Sequence, residues 1–118
     1  MSEIICFKQP FRMSIIEVLE GELSLQLIKQ HIGNSDGMSF MECVYNVIPS
    51  MQSVVLVCAE DGKLRGLRIT LILEGDDIAG DCFLCKRAIN KYGEGILVGL
   101  DSEQRIEIFS KFFLERGK

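Results

Sequence analysis

Residues 53–73, SVVLVCAEDGKLRGLRITLIL, decide how the rest of the chain is read. Val54 to Ala59 is an unbroken apolar run rich in β-branched residues, which suits a strand covered on both faces. Asp61-Gly62 follows, and Asp-Gly between two apolar runs is a hairpin signal. The second run alternates, with Leu67, Ile69, Leu71 and Leu73 on one side and Gly66, Arg68, Thr70 and Ile72 on the other. The stretch therefore predicts a central hairpin, its first strand internal and its second half solvated.

Working outward, Glu3 to Phe7 reads as a short strand. Met13 to Leu19 fits either a strand or a helix, since Ser14 and Glu17 make a capping box while Ile15, Ile16 and Val18 favour a strand. Gly21 costs a continuous helix about 1 kcal/mol relative to Ala, so the strand is preferred here and a helix is expected over 22–32. A second helix is expected from Ser39, closed by Glu42 and ended by Pro49, burying Phe40, Met41, Val44, Val47 and Ile48. A third is expected over 82–91, capped by Asp81. Ile96 to Leu100 is a short strand, and Asp101-Ser102 opens the last helix. The expected fold is α+β: one domain over 1–118, a mixed or mainly antiparallel sheet of four to five strands around the 53–73 hairpin, its helices mostly on one face.

The chain has 118 residues, 47% of them hydrophobic and 25% charged, which is a globular composition. Its mean hydropathy of +0.22 is high for a chain with so much surface relative to volume, and points to apolar groups buried between subunits. The net charge of −4 speaks against a nucleic-acid partner. No apolar segment approaches the ~20 residues that span a bilayer, so no membrane partner is expected. The N-terminus lacks a signal-peptide pattern, and the five cysteines are odd in number and scattered, so a cytoplasmic protein with free thiols is expected.

Two short segments carry candidate chemistry. Cys82-Phe83-Leu84-Cys85-Lys86 places two thiols where a helix would begin, a position that stabilises a thiolate. CFLCKRAIN resembles the start of the active-site helix in glutaredoxins and thioredoxins. That resemblance implies thiol redox or metal chemistry at Cys82 and Cys85, although the motif comes late in the chain and no proline follows Pro49. Metal sites usually pair two such motifs, and only one is present, so no metal is assigned. The segment VVLVCAEDGKLRGL resembles strands of GNAT acetyltransferases, and Asn90-Lys91-Tyr92-Gly93-Glu94-Gly95 carries two glycines of that family's pyrophosphate loop. This resemblance implies acyl-coenzyme A binding, with Asn90 departing from the loop pattern.

His31 is the sole histidine and lies at a predicted helix end; the acids Glu74, Asp76, Asp77 and Asp81 crowd one turn without a Ca²⁺-loop spacing. No cofactor follows from these patterns. In the last helix Ile106, Phe109 and Phe113 share one face, with Ile108 and Phe112 beside it. Such a wide apolar surface predicts a subunit interface at Ile108, Phe109, Phe112 and Phe113. The sequence thus favours a non-enzymatic domain acting by association, as a homo-oligomer or on a protein or small apolar ligand.

Overall fold

The computed structural model describes residues 2–8, 12–34, 40–73 and 76–110. Its principal sheet has six strands: β1 (Ser2–Lys8), β2 (Arg12–Val18), β3 (Met41–Val44), β4 (Val54–Ala59), β5 (Cys82–Ile89) and β6 (Gly95–Val98). A separate two-stranded ribbon, βa (Ile69–Leu73) with βb (Asp76–Ala79), lies outside it. Two helices complete the fold, α1 (Leu25–Gln30) and α2 (Ser102–Ile108). The sheet order is β2-β1-β5-β4-β3, with β6 also on β5, and every pairing is antiparallel.

β5 is the axis of this sheet. Its first half pairs with β1, Ile5 opposite Leu84, and its second half pairs with β6, Ala88 opposite Ile96. β4 runs along its other edge, Leu56 opposite Leu84. β1 and β6 meet end to end where Glu3 and Leu100 exchange backbone hydrogen bonds of 3.0 and 2.7 Å. Along β1, β4 and the first half of β5 both faces of the sheet are buried, which the continuous apolar runs in β4 and β5 require. On one face lie Ile5, Phe7, Leu56, Cys58, Cys82 and Leu84; on the other Ile4, Cys6, Val55, Val57, Phe83 and Cys85.

The helices cover different faces, not one. Ile28 of α1 packs with Phe83 and Val55, while Ile108 of α2 packs with Ile5 and Leu84 alongside Leu71 and Ile78 of the ribbon. α1 is shorter than the expected 22–32 because Glu22 and Leu23 are drawn to β6: the Leu23 N–H donates to the Leu97 carbonyl at 2.8 Å. Ser24 then caps the helix, accepting from the Leu27 N–H. α2 opens as expected, with Asp101 and Gln104 closing a reciprocal capping box.

Three expectations are corrected. Residues 53–73 do not form a hairpin, for β4 belongs to the principal sheet and βa to the ribbon. Between them the chain winds through helical turns, the Arg65 N–H donating to the Asp61 carbonyl and the Leu67 N–H to the Gly62 carbonyl. Gly62 keeps a negative φ; it is needed because a Cβ there would strike the Ala79 carbonyl of βb, and positive φ falls instead on Gly66, at 71°. The segment 82–91 is strand β5, not a helix. Asp81 does not cap it, since its backbone exchanges hydrogen bonds with Gly33. The segment expected to be a helix ended by Pro49 contains strand β3, paired with β4 from Met41–Ala59 to Val44–Leu56. Ser39, its expected cap, lies outside the described residues. Met13–Leu19, preferred as a strand, matches β2 closely.

Candidate functional site

Strand alternation governs the cysteine pair. Cys82 and Cys85 are three residues apart in β5, so their side chains leave opposite faces of the sheet. Each is fully buried. Burial pushes the Cys82 thiol up to about 12, against a smaller opposing effect from its contact with the Thr70 hydroxyl at 3.7 Å. Burial raises the Cys85 thiol further still. The helix N-terminus implied by the redoxin resemblance is absent at this position, and the two sulfurs face different cores. Cys6 joins Cys85 on one face and Cys58 joins Cys82 on the other, and all five cysteines are free thiols. Among the described residues, no group of three His, Cys, Asp or Glu side chains is arranged to hold a metal ion.

The glycine-bearing segment 90–95 is the turn joining β5 to β6. Asn90 organises it: its Oδ1 accepts from the Tyr92 N–H at 2.8 Å and the Glu94 N–H at 3.0 Å, and its carbonyl accepts from the Gly93 N–H. The backbone donors that a pyrophosphate would need are therefore engaged within the turn, and a strand rather than a helix follows. His31 stands with its ring edge-on to Phe83, centroids 6.4 Å apart, and its Nδ1 is buried. Burial and the neighbouring Lys8 ammonium lower its pKa, partly offset by Asp81.

The interface expected on the last helix divides. Ile108 is fully buried in the core beneath α2, and Phe109 is half-buried against the same cluster. Ile108 therefore has no surface to offer a second subunit, while Phe109 keeps part of its own. Phe112 and Phe113 lie outside the described residues. A small cavity of about 90 Å³ lies between β4 and the ribbon, lined in part by Glu42, Cys58, Lys63 and Asp77. Charged groups around so small a volume suit a few waters rather than an apolar ligand.

Exposed apolar side chains are spread over the molecule, Leu25, Leu64, Ile72, Ile89 and Ile106 among them, and some stand at the two ends of the sheet. At one end, Met13 and Ile15 of β2 are 39% and 38% exposed. At the other, Phe40, Met41 and Tyr45 flank and occupy β3. Sequence reasoning missed these surfaces because nothing in a strand's own pattern says which strand lies at the edge of a sheet. Only the order β2-β1-β5-β4-β3 places them there. Among the described residues no helix is long and apolar enough to cross a membrane. In comparison with known proteins, no family model, no curated protein and no solved structure matches this chain.

Proposed function

We propose that this chain is an association domain that works as a homo-oligomer. The observation that carries the reading is the apolar side-chain exposure at the sheet ends, with Met13 and Ile15 extending the row begun by Phe7 and Ile5. Exposed rows of this kind, continuous with a core, mark surfaces that bury themselves against a partner. The high mean hydropathy supports the same reading. The oligomer rests on exposed side chains such as those at the sheet ends rather than on Ile108, which is committed to the subunit core.

Light scattering across a dilution series, together with a native mass spectrum of protein purified without reductant, tests this. The expected result is a multimer that keeps five free thiols. A monomer at every concentration would overturn the reading. A metal adduct, or the mass loss of one disulfide per chain, would replace it with cysteine chemistry.

A further inference from the structure

The register of β4 on β5 sets Leu56 opposite Leu84 and Val57 opposite Phe83, so the next step along the strands brings Cys58 to Cys82. At the other end of this ladder the Arg87 N–H donates to the Ser53 carbonyl at 2.8 Å, which makes Ser53 and Arg87 a hydrogen-bonded pair. Antiparallel pairs alternate, so Cys58 and Cys82 fall in the non-hydrogen-bonded class, where α-carbons stand about 4.5 Å apart and side chains come closest. A disulfide bridges α-carbons about 4.4–6.8 Å apart. Both side chains lie on one face, in the core that Leu71 and Ile78 of the ribbon cover. The ladder ends at this pair, because Asp81 exchanges its backbone hydrogen bonds with Gly33 instead. No other two of the five cysteines face each other across adjacent strands: Cys6 opposes Phe83, Cys43 opposes Val57 and Cys85 opposes Val55.

The two thiols differ in what reaches them. Cys58 lines the cavity of about 90 Å³ between β4 and the ribbon, with Glu42, Lys63 and Asp77. Such a polar volume holds a few waters, or a hydrogen peroxide molecule in their place. Cys82 does not line it and is fully buried, its Sγ 3.7 Å from the Thr70 hydroxyl of βa. Burial, with a smaller contribution from Cys58, keeps the Cys82 thiol protonated and unreactive while the ribbon is closed. The strands of the ribbon pair only with each other, so it can lift without breaking the principal sheet.

We propose that Cys58 and Cys82 are a dithiol that hydrogen peroxide oxidises to a disulfide under the gate of the ribbon, Cys58 attacking and Cys82 resolving. The Cys58 thiol gives up its proton and its sulfur attacks one peroxide oxygen. An S–O bond forms as the O–O bond breaks, and the departing hydroxide takes up that proton and leaves as water. Cys58 is then a sulfenic acid. The Cys82 sulfur attacks the Cys58 sulfur, the S–S bond forms as the S–O bond breaks, and the hydroxyl leaves with the Cys82 proton as a second water. Two thiols are oxidised by two electrons and one peroxide is reduced to two waters. This is independent of the association reading, since the protein as isolated keeps its thiols and the bridge needs added peroxide.

The test treats the full chain with hydrogen peroxide at neutral pH, alkylates it in denaturant and maps its peptides by mass spectrometry. The expected product links Cys58 to Cys82 and leaves Cys6, Cys43 and Cys85 alkylated. Cys82→Ala should give no bridge and a Cys58 sulfenic acid that dimedone traps, while Cys85→Ala should bridge as the parent does. Ile78→Ala removes cover from the pair and should speed the bridge at least about tenfold, with alkylation of Cys85 in the other core unchanged. The map of the parent decides the matter should a variant fail to fold. Cys58 and Cys82 left as thiols under peroxide that oxidises the exposed Met13 and Met41, or a bridge between other cysteines, would overturn the proposal. So would a bridge that forms no faster than Cys85 is alkylated, because it would then need unfolding of the sheet rather than opening of the ribbon.

Discussion

The Thr70 hydroxyl is buried where the ribbon meets the sheet, 2.5 Å from the Gly80 carbonyl and 3.7 Å from Sγ of Cys82. Its position follows from a register irregularity between Ile69 and Leu71, which breaks the simple alternation expected of this strand and turns Thr70 inward. A buried carbonyl that loses its donor bears the desolvation penalty of that group. Thr70→Val keeps the shape and removes the donor, so it should lower unfolding stability by about 1–3 kcal/mol, while Thr70→Ser should recover part of that loss. Urea unfolding of the three proteins checks this; a valine variant as stable as the parent would mean that the hydroxyl contributes nothing there. The same residue-scale reasoning explains why the Cys82–Cys85 pair misleads. A spacing of three brings two side chains together on a helix and sends them apart on a strand. Residues 82–85 are all apolar, and a short apolar run carries no period to tell the two apart.

At the scale of elements, strands that alternate or stand between clear turns were legible: β1, β2 and β6, and helix α2 with its capping box. The errors fell where a local signal competed with a distant partner. Glu42 matches a helix capping box, yet the segment it belongs to is held extended by β4, which offers Cys58 and Ala59 as pairing partners. Asp61-Gly62 signals a hairpin, yet that glycine serves a close approach to βb. The candidate surface was less legible than the fold, since the pattern of the last helix did not say that Ile108 is the residue β1 and the ribbon cover while Ile106 stays exposed. The ribbon itself has a distinct dynamic signature. Its strands pair only with each other, and it packs on the sheet through one layer of side chains and the contact of Thr70 with Cys82. It should open without unfolding the sheet, so its amides should exchange faster than those of β4 and the first half of β5, which are flanked on both edges. Hydrogen exchange by mass spectrometry resolves the segments; equal protection in the ribbon and β4 would show that the two open as one unit.

For the whole molecule, the buried thiols make stability depend on alkaline pH. Burial raises Cys6 from 9.0 to about 11 and Cys82 to about 12, and Cys43 and Cys85 move in the same direction for the same first cause. In each, the folded state holds its proton more tightly than the unfolded chain. Below pH 9 both states keep these thiols protonated and the contribution is fully present. As pH rises from 9 towards 11 and 12 the unfolded chain releases protons that the folded chain retains, so the unfolded state binds fewer protons and stability falls. Each thiol that is ionised only in the unfolded state adds a slope of about 1.4 kcal/mol per pH unit. Urea midpoints should therefore be level on the neutral side of 9 and drop steeply above it, and Cys6→Ala should flatten the drop. The two faces of the sheet share this behaviour, with Cys6 and Cys85 in one core and Cys82 in the other, so no local opening exposes all three. Alkylation of the folded protein should then label Cys82, which the ribbon covers, faster than Cys85, which waits for unfolding of the principal sheet. Fast labelling of Cys85 under conditions where β4 amides stay protected would show that its thiol reaches solvent without unfolding, and would remove the burial on which its share of this pH dependence rests.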